Sequence, residues 1–160
     1  RGNVIFALSV ALGVGTFMLG VLDRFLKNTR RLVIVSSVLT LVPLLLLAIY
    51  PSEGANFAMW AFVAIGLFGF NSPLLMAHSR SFLAPAYHGR GMAFLTALSF
   101  VGVALIQSIS GWMMGMSYEA QMSPSEQYRL LFILLGGALA LATVVYGFSE
   151  RQGRGTGPLK

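Results

Sequence analysis

The chain has 160 residues, of which 56% are hydrophobic and only 10% are charged, and its formal net charge at pH 7 is +6. Soluble domains carry about 25% charged residues, so this composition argues against a soluble globular protein. The chain contains no cysteine, which excludes disulfides, thiolate metal sites and a cysteine nucleophile.

Five stretches contain no Asp, Glu, Lys or Arg, and each is dominated by apolar residues: 2–22, 32–52, 54–79, 91–118 and 130–149. A helix needs about 20 mostly apolar residues to cross the ~30 Å hydrocarbon core of a bilayer. We therefore predict an all-α protein, a polytopic bundle of five transmembrane helices. The predicted spans cover about residues 2–22, 32–50, 56–78, 91–113 and 129–148. They form one domain, residues 1–150, and residues 151–160 are expected to form a tail outside the membrane.

The first predicted span carries a regular row of small side chains. Ser9, Gly13, Thr16 and Gly20 recur at steps of four and three residues. Small residues at this spacing let two membrane helices approach closely. We expect this row, named the small-residue stripe, to face another helix.

The second and fifth predicted spans are the most aliphatic. In the second, the polar side chains are Ser36, Ser37 and Thr40, and in the fifth they are Thr143 and Tyr146. Helices of this composition are able to face lipid.

The third span is interrupted by Asn71 and Ser72, which precede Pro73. A proline inside a membrane helix frees backbone groups that a neighbouring polar side chain can satisfy. Asn71 is therefore either a partner for the freed backbone groups or a side chain that lines a polar cavity. We keep it as a candidate cavity residue.

In the fourth span, Thr96, Ser99, Gln107 and Ser110 lie on one helical face. Hydroxyl side chains in membrane helices commonly bond to their own backbone, and this is the structural alternative for Thr96 and Ser99. The amide of Gln107 is costlier to bury and needs an interhelical partner or a polar cavity. Thr96, Ser99 and Gln107 complete the set of candidate cavity residues.

The charged residues between the spans alternate from one side of the membrane to the other. On a five-span path, nine of the eleven Lys and Arg residues fall on the same side, as in the positive-inside pattern. The connections after the first and third spans and the C-terminus are thus predicted to be cytoplasmic. This distribution explains the basic charge without a nucleic-acid partner.

Groups needed for catalysis are missing from the spans, which hold no carboxylate, no histidine at mid-membrane depth and no set of metal ligands. We therefore predict that the chain is not an enzyme and that it needs no cofactor and no metal.

Residues 19–31 read Leu-Gly-Val-Leu-Asp-Arg-Phe-Leu-Lys-Asn-Thr-Arg-Arg. A helix end followed by Asp-Arg and a basic cluster resembles the signature loop of major facilitator superfamily transporters, roughly Gly-x-x-x-Asp-Arg-x-Gly-Arg-Arg. Leu19 and Leu26 stand where that pattern has glycine. The stretch from His78 to Met92 similarly resembles the loop between helices 10 and 11 of bacterial members.

The resemblance covers nearly the whole chain and implies helices 8–12 of a 12-helix fold, with helix 7 and the N-terminal half missing. The start at Arg1 rather than Met agrees with an internal fragment. The implied function is transport of a small solute by alternating access in a multi-pass protein of the bacterial inner membrane. Its partners would be the lipid bilayer, the solute and the missing half. A non-transporting membrane subunit or scaffold is the alternative.

The resemblance also implies a conformational latch at the cytoplasmic side. Asp23 is expected near the N-terminus of the fourth span, where the helix dipole and a guanidinium would stabilise its charge. The implied latch residues are Asp23, Arg24, Arg30, Arg31 and Arg90.

Overall fold

The computed structural model describes residues 2–26, 28–51, 54–80 and 83–148, so the predicted tail, 151–160, lies outside the described residues. These described ranges contain helices and no strand, which confirms the all-α prediction. In chain order the helices are α1 (Gly2–Leu26), α2 (Thr29–Ile49), α3 (Ala55–Gly69), α4 (Ser72–Arg80), α5 (His88–Glu119) and α6 (Pro124–Phe148). A 3₁₀ turn, Pro85–Tyr87, precedes α5.

Five helical segments of the described chain are long and apolar enough to cross a bilayer, which agrees with the five-span prediction. The third segment, Ala55–Arg80, combines α3 and α4. Several helices run past the predicted spans; α5, for example, extends from His88 to Glu119. Charged residues at helix ends reach the aqueous interface, so a helix need not stop where the hydrocarbon core stops.

The closest approach between helices is the crossing of α1 and α3. An ideal Cβ built on Gly15 would lie only 2.1 Å from the carbonyl oxygen of Leu67. On α3, next to Leu67, a Cβ on Gly66 would touch the side chains of Ala11 and Leu8, which lie about one and two turns before Gly15 on α1. The helix contact therefore uses the face of Ala11 and Gly15. Contact of the small-residue stripe with another helix stays a prediction, because among the described residues a Cβ on Gly13 or Gly20 would meet nothing within 4 Å.

Helix α2 is the most buried of the five membrane-spanning segments, because half of the residues in its most apolar stretch are buried. Ser36, Ser37 and Thr40 lie on its buried face. This face therefore lies against other helices and not against lipid. The opposite face, with Val35, Val42 and other aliphatic side chains, remains exposed. Lipid tails are as apolar as leucine, so hydrophobicity alone does not separate a lipid-facing surface from a protein interior.

Helix α6 packs along α2, where Gly136 leaves room for the side chains of Leu41 and Leu45. Phe132 of α6 also meets Phe62 of α3, with ring centroids 6.3 Å apart. Helix α5 differs from all the others. Its backbone lies close to α4, the 3₁₀ turn and α6, but within the described residues it does not lie close to the backbone of α1, α2 or α3.

The ends of α1, α4 and α6 and the starts of α2 and α5 lie at one end of the bundle, which we name the basic end. Leu19, Leu32, Val33 and Leu74 form a buried cluster there, and Leu75 and Tyr146 pack against it. This cluster holds together four helices, α1, α2, α4 and α6. It therefore fixes where the polar groups of the basic end lie.

At the opposite end a tight turn joins α5 to α6. Gln121 adopts a left-handed backbone conformation, with φ of 53°. Ser123 and Glu126 then form a reciprocal cap of α6, in which the backbone N–H of Ser123 donates to the Glu126 carboxylate at 2.9 Å. Pro124 occupies the first position of the helix, where no backbone donor is needed.

Candidate functional site

Asn71 lies at the break between α3 and α4 and bonds to α2. Its amide Nδ2 donates to Ser36 Oγ at 3.3 Å and to Ser37 Oγ at 3.1 Å. Its backbone carbonyl accepts from the N–H groups of Leu74 and Leu75, which begin the hydrogen-bond ladder of α4. The predicted cavity residue is thus placed at a helix interface. Its role in a cavity stays a prediction.

The partners of Asn71 form a buried polar cluster that the sequence analysis missed. Ser36 is 1% exposed, and its hydroxyl donates to the carbonyl of Val33. The Thr40 hydroxyl donates to the carbonyl of Ser36 at 2.8 Å. The signal available in the sequence was that these are the polar residues of an otherwise aliphatic span.

Three of the four residues on the polar face of α5 are exposed, namely Thr96, Ser99 and Gln107, while Ser110 is partly buried. Thr96 and Ser99 donate to the carbonyls four residues earlier, at 2.9 Å and 2.8 Å, so their hydroxyls are satisfied within the helix. Gln107 is also exposed, and its amide has no hydrogen-bond partner among the described residues. The three predicted cavity residues on α5 therefore share an uncovered surface.

A second uncovered polar face lies on α1. The hydroxyls of Ser9 and Thr16 bond to their own helix, and Gly13 and Gly20 have open space above them. The small-residue stripe and the polar face of α5 are thus both largely uncovered by the described part of the chain. Helices that expose such faces in a bilayer need either protein or water against them.

Asp23 lies in the last turns of α1 at the basic end. Its Oδ1 atom is buried, yet it has no hydrogen-bond partner among the described residues. Arg24, Arg31 and Arg90 are exposed, and Lys27 lies outside the described residues. The backbones of α1 and α5 do not lie close together within the described chain, so the contact between Asp23 and the start of α5 stays a prediction.

Arg30 is the latch candidate that the structure places in a defined contact. Its guanidinium Nη2 donates to the carbonyl of Gly147, near the end of α6. A cation beside the last carbonyls of a helix satisfies groups that have no intrahelical partner and interacts favourably with the helix dipole. Its Nε atom is buried and has no hydrogen-bond partner in the described residues.

Next to this contact, the ring nitrogen Nδ1 of His78 hydrogen-bonds to the hydroxyl of Tyr146. The two rings meet edge to face, with centroids 5.7 Å apart and an interplanar angle of 78°. The bond joins α4 to α6 across 68 residues of sequence. The sequence analysis missed this pair because the two residues are far apart in the chain and neither lies in a recognisable motif.

The described residues hold no group of three or more His, Cys, Asp or Glu side chains that would bind a metal ion. What they present instead is a set of hydroxyls and amides on α1 and α5 and a cluster of guanidinium, imidazole and phenol groups at the basic end. Such groups are suited to hydrogen bonding with a solute and to holding helices together.

Comparison with known families gives one match, a family model described as Major Facilitator Superfamily, over residues 2–158. No curated protein and no solved structure matches the chain. The match agrees with the five apolar helices and with the Asp23-Arg24 loop. Members of this family are membrane transporters of solutes and, in general, not enzymes. The chain belongs to the major facilitator superfamily of multi-pass membrane transport proteins.

Proposed function

We propose that the chain is part of a secondary transporter that moves a small solute by alternating access, with α1 and α5 facing a second helical half. The observation that carries the proposal is the pair of uncovered polar faces on these two helices. In this family of folds, two halves rock about a site near the middle of the membrane. The faces on α1 and α5 are where that second half and the solute path would lie.

Gln107 is the strongest candidate for solute contact. An amide exposed on a helix between two apolar flanks is expensive in lipid, so the position requires a polar neighbour or an aqueous cavity. The described residues supply no hydrogen-bond partner for it. Thr96 and Ser99 lie on the same face, and their hydroxyl oxygens retain acceptor capacity after bonding to the backbone.

The unpartnered Oδ1 atom of Asp23 supports the latch part of the proposal. Leaving a buried charged acceptor without a partner costs more than the ~1–3 kcal/mol of a neutral group. A donor from the second half would remove this cost in one conformation and restore it in the other. Asp23 would then bias the equilibrium between the two, together with the nearby cations Arg24, Arg30 and Arg31. Arg90 completes the latch if α5 moves toward α1.

The basic end is proposed to face the cytoplasm, with the C-terminus on the same side. Arg24, Arg30, Arg31, Arg80 and Arg90 all lie at this end. The excess of basic residues at this end supports that orientation, and we propose that the membrane is a bacterial inner membrane.

Replacement of Gln107 by Leu in the full-length protein tests the function. Uptake of labelled organic anions, sugars and cationic drugs should first identify a transported solute. The Gln107→Leu variant should then be inserted at normal abundance and show an uptake rate reduced at least tenfold. Gln127→Leu is the matched control, because Gln127 lies at the far end and bonds to the carbonyl of Met122.

Normal uptake in Gln107→Leu would remove this residue from the solute path. Equal losses of uptake and of detergent stability in Gln107→Leu would assign the amide to helix contact. No uptake of any solute by the unmodified protein would favour the scaffold alternative.

A further inference from the structure

The last carbonyl groups of α3 are left without hydrogen-bond donors. Those of Phe68 and Gly69 accept no hydrogen bond from the described residues. In a continuous helix the residue four positions after Gly69 would donate to it, but that residue is Pro73, which has no N–H. Free carbonyl groups at membrane depth are tolerated only against protein or in a polar cavity. The end of α3 therefore requires a polar partner.

Next to this helix end, α2 presents buried hydroxyl oxygens. Thr40 is 5% exposed, and its Oγ1 atom would lie 3.8 Å from an ideal Cβ on Gly69. The Thr40 hydroxyl gives its proton to the carbonyl of Ser36, so the lone pairs of Oγ1 stay available. Ser37 is 6% exposed, and its Oγ accepts one hydrogen bond, from the Asn71 amide. Both hydroxyl oxygens thus keep acceptor capacity beside the break between α3 and α4.

Asn71 adds a further oxygen atom at the break. Its Nδ2 atom donates to the hydroxyls of Ser36 and Ser37. Its Oδ1 atom accepts no hydrogen bond within the described part of the chain. Asn71 is about 14 Å from Arg80 at the helical rise, which is close to half of the ~30 Å hydrocarbon core. The amide oxygen therefore lies near the middle of the membrane.

The charge of these oxygen atoms indicates which ion they fit. All of them are neutral, because the second and third spans contain no Asp or Glu. Sites for divalent ions normally include carboxylates, so these atoms suit a monovalent cation better. The carbonyl end of α3 also carries the partial negative charge of its helix dipole. In broken membrane helices, unwound carbonyl groups and helix C-terminal ends coordinate Na⁺.

We propose that the break between α3 and α4 is a binding site for a monovalent metal cation, with Na⁺ as the expected ion. The ligands are the Asn71 Oδ1 atom, the hydroxyl oxygens of Ser37 and Thr40, and the carbonyl oxygens of Phe68 and Gly69. Gly69 is exposed, so the ion reaches the site from the uncovered side of α3. The site is separate from the polar faces of α1 and α5, and it does not depend on the proposed transport function.

Equilibrium binding of radioactive Na⁺ to the full-length protein in detergent tests the site. Choline chloride replaces NaCl in the reference buffer, so that ionic strength and chloride stay constant. The unmodified protein should bind Na⁺ saturably at millimolar concentrations. Thr40→Val keeps the shape of the side chain and removes the oxygen. Its affinity for Na⁺ should fall about 10-fold to 100-fold, as expected for the loss of one polar contact with a charge.

Thr143→Val on α6 is the matched control. The Thr143 hydroxyl also donates to the carbonyl four residues earlier, but it lies on a helix outside the site. This variant should bind Na⁺ as the unmodified protein does.

Ser37→Ala is a second variant, and it decides the outcome if Thr40→Val does not elute as a single folded species in gel filtration. It should weaken Na⁺ binding by a similar factor. The proposal is overturned if the unmodified protein shows no saturable Na⁺ binding, if Thr40→Val and Ser37→Ala bind as tightly as the unmodified protein, or if Thr143→Val loses as much affinity. Displacement of Na⁺ by an equal concentration of Ca²⁺ would overturn the assignment to a monovalent ion.

The transport function is judged separately by uptake in the unmodified protein. Na⁺ binding at this site without uptake of any solute would overturn the transport function alone. Uptake of a solute by a protein that does not bind Na⁺ would overturn the cation site alone.

Discussion

Replacing Gly15 by alanine tests the crossing of α1 and α3, on which the position of both helices depends. An ideal Cβ at this position would lie 2.1 Å from the Leu67 carbonyl oxygen and 2.7 Å from its Cα. Both are backbone atoms, so no change of rotamer relieves the overlap. The helices must move apart until the distance reaches the 3.4 Å of an ordinary contact. This movement also separates Ala11 from Gly66.

Overpacking of this kind costs about 1–3 kcal/mol in protein interiors, and backbone contact places Gly15→Ala toward the upper part of that range. Alanine recovers up to ~1 kcal/mol through its higher helix propensity. We expect a net loss of about 1–2 kcal/mol in the free energy of unfolding. The control is Gly137→Ala on α6, where a Cβ meets nothing within 4 Å. It should leave stability unchanged or raise it slightly.

The free energies are measurable by reversible unfolding in mixed micelles of mild detergent and dodecyl sulfate, followed by the fluorescence of Trp60 and Trp112. Trp60 lies on α3 and reports on the helix that the substitution displaces. If Gly15→Ala proved as stable as Gly137→Ala, the close crossing of α1 and α3 would be refuted.

Two further predictions concern orientation and the latch. Cysteines introduced singly at His88 and Gly155 should be shielded from impermeant thiol reagents in intact cells, while a cysteine at Ser123 should be labelled. The chain itself contains no cysteine that would add background labelling. Labelling at position 88 from outside the cell would contradict the proposed orientation. Asp23→Asn should fold at normal or raised stability, because it removes the charge of a carboxylate whose Oδ1 atom is buried without a hydrogen-bond partner among the described residues. It should nevertheless slow uptake and change the labelling of a cysteine at Ser99. Asp23→Glu keeps the charge and serves as the control, and wild-type uptake and labelling in the Asn variant would reduce Asp23 to an ordinary loop charge.

The number and type of helices were predictable because each span is set by one strong requirement. A bilayer demands about 20 apolar residues per crossing, and charge-free runs of that length leave no other interpretation. The same requirement explains why the neighbours of each helix were not predictable. The buried face of α2 and its exposed face are almost equally apolar, since lipid and protein interior favour the same residues.

The two glycines of the segment Gly13-Val14-Gly15 show this limit most clearly. Both are small residues in the same helix, and the regular row through Gly13 did not single out Gly15 as the position that meets α3. Only the position of α3 decides that Gly15 meets a backbone and Gly13 meets open space. The stripe through Gly13 is left for a neighbour outside the described residues, as the proposed second half requires.

Pro43 and Pro73 both lie inside predicted spans, but only Pro73 lies beside a break in the helix. The residues around each proline explain the difference. Pro43 lies within α2, which continues through it and packs on both sides. Pro73 lies at a true break, because Asn71 accepts the first bonds of α4 and is in turn held by two serines of α2. A proline alone does not end a membrane helix; the chain must also supply partners for the backbone groups that the break releases. Ser36 and Ser37 therefore connect the local sequence at Pro73 to the break between α3 and α4. The same break sets the direction of α4, which precedes α5, the helix on which solute contact is proposed.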